Sequence, residues 1–376
     1  MRHLVKLDQG DAMKRWIAGM AAVCMAAILF FPIEVCAVSA EHAIVLDAAT
    51  GRVLYERRAD EQSLIASTTK IMTALIVCEQ CNVLDRMQIP KEAVGIEGSS
   101  MYLREGEILT IQELLYGLML QSGNDAAVAL AIYCGGTVEG FAELMNDKAR
   151  YLGLENTHFE NPNGLDSPGH YSSARDLAIL SAYAMNNPIF AKTVSTKSLK
   201  VGERYLTNHN KLLWQLNGAD GIKTGFTKAA GRILVSSAIR DGRRLICVTI
   251  NDPDDWKDHK TLLEACFERY EQRQLVGAGQ VVGTAEVLSG NGARTHLIAE
   301  EDFIFALAKD ETVTIELPEP GFAYAPVCRG QKAGYAHILV DGNPVGKVSV
   351  VYGDTIEKEA EPERPWWKRL LEGERR

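Results

Sequence analysis

Three consecutive stretches decide the fold: Gly231-Arg-Ile-Leu-Val-Ser-Ser-Ala-Ile239, Arg240-Asp-Gly-Arg243 and Arg244-Leu-Ile-Cys-Val-Thr-Ile250. The outer two are rich in β-branched residues, and the Asp-Gly between them is a tight-turn dipeptide, so they read as a β-hairpin. A lone hairpin is marginally stable and needs further strands or helices to cover its apolar face. Far upstream, Glu41-His-Ala-Ile-Val-Leu-Asp47 and Arg52-Val-Leu-Tyr55 flank the turn Ala48-Ala-Thr-Gly51 and read as another hairpin.

Between the hairpins the apolar period changes from two to about 3.6. Ser67 to about Cys81 reads as a helix with Ile71, Met72, Leu75 and Ile76 on one face. Ile111, Leu114, Leu115, Leu118 and Met119 make a second, strongly amphipathic helix. Asp125–Cys134 and Glu139–Tyr151 continue the pattern, Ser173-Ala-Arg-Asp176 reads as a capping box, and Leu262–Tyr270 returns to helix. Strands that open and close a segment whose middle is helical pair into one antiparallel sheet with the helices packed on it. The fold class is therefore α+β over residues 41–274. After Gly277 only short β-rich runs remain, separated by Gly, Asp or Pro, and they predict a small all-β domain of sandwich type over 277–355. Residues 356–376 read as a charged, Pro-containing linker and a short amphipathic tail.

The 376 residues carry a net charge of −9 with a pI near 5.5, which argues against a nucleic-acid-binding protein, since phosphate contacts need clustered Lys and Arg. Lys14 and Arg15 precede an apolar run, Trp16–Phe31, and small residues follow at Ala37 and Ala40. A basic segment, an apolar core and a small-residue exit predict a signal peptide over 1–40, cut after Ala37 or Ala40. Its loss removes four Lys/Arg and three Asp/Glu and takes the charge to −10. The run is short for a membrane-spanning helix. Cys78 and Cys81 form a C-x-x-C without a second pair or suitably spaced His, so they read as small, partly buried side chains rather than a redox or zinc site. No H-E-x-x-H is present, and neither metal nor cofactor is expected.

Three short motifs carry chemistry. In Ser67-Thr-Thr-Lys70 the hydroxyl and the amine stand three residues apart, within reach on one helical face. A serine needs a base, and a lysine becomes one only when burial or a nearby cation depresses its pKa. Alone the spacing says little, since about one match is expected by chance in a chain this long. Ser122-Gly-Asn124 puts a hydroxyl and an amide on a turn between two helices, where a cap-and-turn role is the ordinary reading. Lys223-Thr-Gly225 opens the C-terminal strand group. Its Lys and Thr can hold a carboxylate, and its Gly would let a ligand backbone come close to an edge strand.

In this order and context the motifs resemble those of the low-molecular-mass penicillin-binding proteins, specifically the D-alanyl-D-alanine carboxypeptidases. Asn156-Thr-His-Phe-Glu-Asn-Pro-Asn-Gly-Leu-Asp166, Asn208-His-Asn-Lys-Leu-Leu213 and Gly221-Ile-Lys-Thr-Gly-Phe-Thr227 extend the likeness, which covers about residues 41–355. The resemblance implies a serine β-lactamase/penicillin-binding-protein-like fold and a role for each matched residue. Ser67 would be the nucleophile that forms an acyl-enzyme, Lys70 its base, and Ser122 the proton relay to the leaving D-alanine. Asn124 would hold the peptide and orient Lys70. Lys223 would neutralise the substrate's terminal carboxylate, with Thr224 and Thr227 bonding nearby. The backbone N–H groups of Ser67 and Phe226 would form the oxyanion hole.

The second motif is Ser-Gly-Asn rather than Ser-Asp-Asn, as is usual for the carboxypeptidases. Glu155 and Glu160 lack the Glu-x-x-Leu-Asn context that a β-lactamase uses to activate water. Some relatives have an additional carboxylate-binding Arg, and the sequence alone does not place it here. The implied substrate is the peptidoglycan stem peptide, with β-lactams as inhibitors. A DD-endopeptidase, a weak β-lactamase or an idle wall-binding protein are the alternatives. Trp366, Trp367, Lys368, Arg369, Leu370 and Leu371 predict peripheral contact with membrane lipid on the outer face of the cytoplasmic membrane.

Overall fold

The computed structural model describes residues 38–290, 294–317 and 321–360. The leader up to residue 37 and the tail from residue 361 lie outside them. Both predicted hairpins form: β1 (His42–Asp47) with β2 (Val53–Arg57), and β4 (Gly231–Arg240) with β5 (Arg243–Ile250). The strand β3 (Ala219–Thr227) precedes the second hairpin, and the five make one antiparallel sheet in the order β2-β1-β5-β4-β3. Thus β1 lies along β5, and β3, which carries Lys223-Thr-Gly225, is left as an edge.

Helices cover the sheet on one face and fill the middle of the segment: α1 (Lys70–Gln80), α2 (Ile111–Leu120), α3 (Asn124–Gly135), α4 (Val138–Tyr151), α5 (Ala174–Ala184) and α6 (Pro188–Ser195). A short turn, α7 (Leu212–Gln215), precedes β3, and α8 (Asp255–Arg269) covers the other face of the sheet. The alternating strand residues split between the two sides. Ile44, Ile233, Val235, Ile246 and Val248 face the large helical core, while Ala43, Val45, Leu234, Leu245 and Cys247 meet Leu262 and Leu263 of α8.

Several helix readings are refined. Ser67 lies in a 3-10 turn, Ala66–Thr69, and the α-helix begins only at Lys70. The amphipathic helix α2 is buried on nearly every face because it sits between other helices, and a side chain at Gly117 would strike Met101 Sδ. It starts with a capping box, Thr110 with Glu113. At α5 only half of the expected box forms. Ser173 Oγ accepts from the Asp176 N–H at 3.1 Å, but the Asp176 carboxylate accepts from Asn156 N and Thr157 Oγ1 at 2.8 and 2.7 Å, fastening the preceding loop.

The β-rich region begins earlier than the composition change at Gly277. The helix α8 ends at Arg269, and β6 (Tyr270–Val276) follows at once. The remaining strands are β7 (Val281–Leu288), β8 (Arg294–Ala299), β9 (Phe303–Ala308), β10 (Val313–Glu316), β11 (Phe322–Tyr324), β12 (Lys332–Val340) and β13 (Asn343–Tyr352). They form a six-stranded sheet, β10-β12-β13-β8-β7-β11, and a two-stranded ribbon of β6 with β9. Its apolar cluster, with Val276, Leu297, Ile338 and Val350, is separate from the two around the first sheet. Arg52, just ahead of β2, links the two halves: it donates to Glu311 Oε2 at 2.9 Å and to the Ala306 carbonyl, and its guanidinium lies 5.0 and 4.9 Å from the Tyr270 and Phe305 ring centres.

The reading of the C-x-x-C as two plain thiols is corrected for one of them. Cys81, at the end of α1, is joined by a disulfide to Cys134, at the end of α3, while Cys78 stays free and buried. Sequence spacing could not show this because the partner is 53 residues away. Closing so long a loop is typically worth about 2–4 kcal/mol. The expected outcome is that Cys134→Ser lowers the unfolding free energy by about that amount. Denatured, unreduced protein should leave only Cys78, Cys247, Cys266 and Cys328 of the described cysteines open to alkylation; labelling at Cys81 would count against the bridge.

Candidate active site

The 3-10 turn brings Ser67 and Lys70 together because side chains three residues apart eclipse in that geometry. The two helices α1 and α3 start side by side, and the loop through Asn163 closes over both. Lys70 is fully buried, and its Nζ has three partners: Ser67 Oγ at 2.9 Å, Asn124 Oδ1 at 2.6 Å and the Asn163 carbonyl at 2.5 Å. The Asn124 amide is oriented by its own Nδ2, which donates to the Glu97 carbonyl at 2.5 Å. Asn163 carries its role through its backbone, so no side-chain motif could have nominated it. Gly164 follows at φ +85, and a Cβ there would overlap the Ala66 carbonyl, so only glycine lets this loop lie against the nucleophile turn.

Burial pushes the Lys70 amine well below its ordinary value, and the neighbouring Lys223 pushes in the same direction. This meets the condition that a lysine base imposes. A neutral amine has two N–H donors and one lone pair. Asn124 Oδ1 and the Asn163 carbonyl can only accept, so they occupy both donors. The lone pair is left for the one partner that can give a proton, Ser67.

Ser122 lies on the turn between α2 and α3 at φ +60, and Ala66, just before Ser67, is at φ +43. Both are non-glycine residues in the left-handed region, a costly conformation that clusters at functional sites. The Ser122 hydroxyl is buried with no hydrogen-bond partner among the described residues. Asp125 fixes the opposite wall, accepting from Ser100 Oγ and the Met101 and Leu103 amides at 2.6, 3.0 and 3.0 Å. His170 supports the turn from below. Its Nδ1 accepts from the Glu160 amide at 3.1 Å, so Nε2 carries the proton toward Thr69 Oγ1, 2.7 Å away. Burial lowers its pKa to about 4 and keeps it neutral.

The edge strand β3 closes the cleft, which has a volume of about 330 Å³ and is lined by Ser67, Ser122, Thr224, Gly225, Phe226 and Arg232 among others. Lys223 is 1% exposed, and its Nζ donates to the Thr224 carbonyl at 3.0 Å. Phe226 is exposed at the rim. Two sequence readings change. The Cβ position of Gly225 points at the Ile65 carbonyl, 3.2 Å away, and at Thr68, so glycine here admits the nucleophile turn rather than a ligand backbone. Thr227 Oγ1 donates to Asp166 at 3.1 Å and accepts from the Ala230 amide, which ties down the strand end.

The carboxylate-binding Arg that the sequence did not place has a candidate in Arg232. It sits directly opposite Phe226 in the β3–β4 register, so both side chains point to the same face. Its Nη2 donates to both oxygens of Asp255 at 2.7 and 2.9 Å, and its guanidinium lies 6.0 Å from the Trp256 ring centre. Nε and Nη1 make no bond among the described residues and remain available at the cleft. The pairing depends on the register of β3 against β4, which no local pattern in the sequence specifies. Glu160 is spoken for by Ser167 and the Gly169 amide, and the one carboxylate lining the cleft, Asp255, is paired with Arg232. No cluster of three or more metal-ligating side chains occurs among the described residues. His259 of α8 contacts Ser236 and Thr249, but all three are fully buried between the sheet and α8.

The site thus sets a serine hydroxyl against a buried lysine amine, between an edge strand and a helical cluster. The comparisons agree. The family model for D-alanyl-D-alanine carboxypeptidases matches residues 31–254, and that for the penicillin-binding protein 5 C-terminal domain matches 270–358. The D-alanyl-D-alanine carboxypeptidase DacF of Bacillus subtilis is 32% identical over 335 residues, 85% of this chain and 86% of its own. DacC of Escherichia coli is 32% identical over 370 residues, 91% and 92% of the two chains. Penicillin binding protein 5 of Haemophilus influenzae superposes with a TM-score of 0.74 at 29% identity, covering 87% of this chain and 99% of that one. The chain belongs to the D-alanyl-D-alanine carboxypeptidase family.

Two buried lysines have a stability consequence. Burial lowers the Lys223 pKa to about 7 from an unfolded value near 10.5. Below pH 7 the buried cation costs its full desolvation, and the cost fades as pH rises from about 7 to 10.5, because the unfolded chain then holds the proton that the folded chain has lost. The expected outcome is that Lys223→Met raises the melting temperature at pH 6, and that the advantage shrinks toward pH 10. A constant difference across that window would show that Lys223 titrates normally.

Proposed function

We propose that this protein is a serine-type D-Ala-D-Ala carboxypeptidase that removes the terminal D-alanine from peptidoglycan stem pentapeptides and is acylated by penicillins. The observation that carries the proposal is the Lys70 Nζ, whose two obligate acceptors leave its lone pair on Ser67. Lys70 takes the Ser67 proton as Oγ attacks the penultimate carbonyl. The amides of Ser67 and Phe226 receive the developing oxyanion, an effect worth a few kcal/mol in such sites. Ser122, with no hydrogen-bond partner among the described residues, passes the proton to the departing D-alanine nitrogen. Water then releases the acyl group from Ser67. Among the described residues the cleft is lined by no carboxylate but Asp255, which is paired with Arg232, and this favours a peptidase over a β-lactamase.

The carboxylate of the leaving D-alanine meets Lys223, Thr224 and the free edge of the Arg232 guanidinium. Asp255 holds that guanidinium in place. Asn124 lies between the substrate peptide and Lys70 and orients both.

Three outcomes are expected. Mass spectrometry with penicillin shows the whole inhibitor mass on Ser67, and Ser67→Ala gains none; an adduct elsewhere would sink the nucleophile assignment. Arg232→Ala lowers kcat/KM on peptides with a free terminal carboxylate by about 10- to 100-fold, the range of one charged hydrogen-bonded contact, while their C-terminal amides lose little. An equal loss on both would remove Arg232 from carboxylate binding. The rate profile in kcat/KM falls on the acid side as Lys70 protonates and on the alkaline side as Lys223 loses its proton, near pH 7 in the free enzyme.

Export across the cytoplasmic membrane and peripheral attachment at its outer face complete the reading. The supports are the basic-then-apolar leader before Ala37 and the Trp366-Trp-Lys-Arg-Leu-Leu371 tail. Flotation with anionic liposomes, with and without residues 360–376, tests the tail; equal flotation of both forms would exclude it as the anchor.

A further inference from the structure

Three residues ahead of β1 belong to the folded sheet region. Val38 is 5% exposed within the apolar cluster between the sheet and α8, and Ala40 is fully buried there. The Val38 carbonyl accepts from Arg57 Nη1 at 2.9 Å. The Ser39 N–H donates to Asp258 Oδ2 at 2.5 Å, and Ser39 Oγ lies 2.7 Å from Asp252 Oδ1 and 2.9 Å from Asp258 Oδ2. Two carboxylates therefore converge on one hydroxyl, which has a single proton to give. Asp252 is fully buried, and its Oδ2 has no partner among the described residues; Asp258 is 6% exposed. A buried pair of carboxyls with an open acceptor lacks one positive partner, a shared proton or a cation.

We propose that the chain is cut between Ala37 and Val38, and that the new α-ammonium of Val38 docks at the Asp252–Asp258 pair. Hydrolysis adds one water across that peptide bond: Ala37 leaves as a carboxylate, and Val38 keeps the nitrogen, protonated. That nitrogen is one residue along the chain from the Ser39 amide already bonded to Asp258. Both Ala37 and Ala40 satisfy the small-residue rule for a signal peptidase, with Val35 or Val38 two residues before. The fold separates them. A cut after Ala40 would strip Val38 and Ala40 from the apolar cluster and Ser39 from both carboxylates. A cut after Ala37 keeps all of these contacts and adds the cation. The inference rests on the export reading and is independent of the catalytic one.

The test is the N-terminal sequence and intact mass of the full chain exported by a bacterial host. Val38 is the expected first residue; Glu41 first, or an uncut chain, overturns the inference. A second arm compares purified chains beginning at Val38 with chains carrying a Gly-Ser extension before it. The extension is expected to lower the melting temperature by about 3 °C, and the difference is expected to vanish in Asp252→Asn. Equal melting temperatures in the unsubstituted pair overturn the docking. Penicillin labelling of Ser67 on the same samples reports on the catalytic reading separately.

Discussion

A lysine without solvent exposure stands where three separated parts of the chain meet. Lys70 begins α1, Asn124 begins α3, and Asn163 belongs to a loop between α4 and α5. A buried amine needs partners for its N–H groups, and these two oxygens supply them. The requirement fixes the relative positions of two helix starts and a loop to within hydrogen-bond distance. It also explains the glycine at 164, whose bare backbone lets the Asn163 carbonyl reach its place. The arrangement is costly for stability, because desolvation at Lys70 and Lys223 opposes folding, and the same desolvation lowers the Lys70 pKa, which is the condition a lysine base requires.

The rest of the first half serves to hold that junction still. The disulfide from Cys81 to Cys134 ties the far ends of α1 and α3, whose near ends carry Lys70 and Asn124. Asp125 gathers the Ser100–Leu103 backbone into the cleft wall, and neutral His170 props up Thr69. Against this rigid side stands β3, an edge strand whose outer side has no protein partner in the sheet. An extended peptide can lie along such an edge, with its terminal carboxylate carried toward Lys223, Thr224 and Arg232. Arg232 is a product of register: a strand shift of one residue would turn it to the helical face and remove it from Asp255.

The second half shares no apolar cluster with the first. It follows α8 without a linker, since β6 starts where the helix stops, and Arg52 fastens the two by an ion pair and two ring contacts. The composition change at Gly277 marked the region but missed its start. The first strand, Tyr270–Val276, is charged and exposed along most of its length, and such a strand carries little apolar period to read.

By itself the sequence determined what local pattern and local chemistry can determine. Asp241-Gly242 set the β4–β5 hairpin, apolar periods set the helices, and Ser67 with Lys70, Ser122 with Asn124, and Lys223 with Thr224 were legible because each pair is close along the chain. The tertiary structure decided whatever depends on distance across the chain. It paired Cys81 with Cys134, brought the Asn163 carbonyl to Lys70, set Arg232 across from Phe226, and turned the bare face of Gly225 toward the Ile65 carbonyl. A backbone oxygen has no residue type, and a contact between strands depends on register. Neither leaves a mark in a single sequence until the chain is folded.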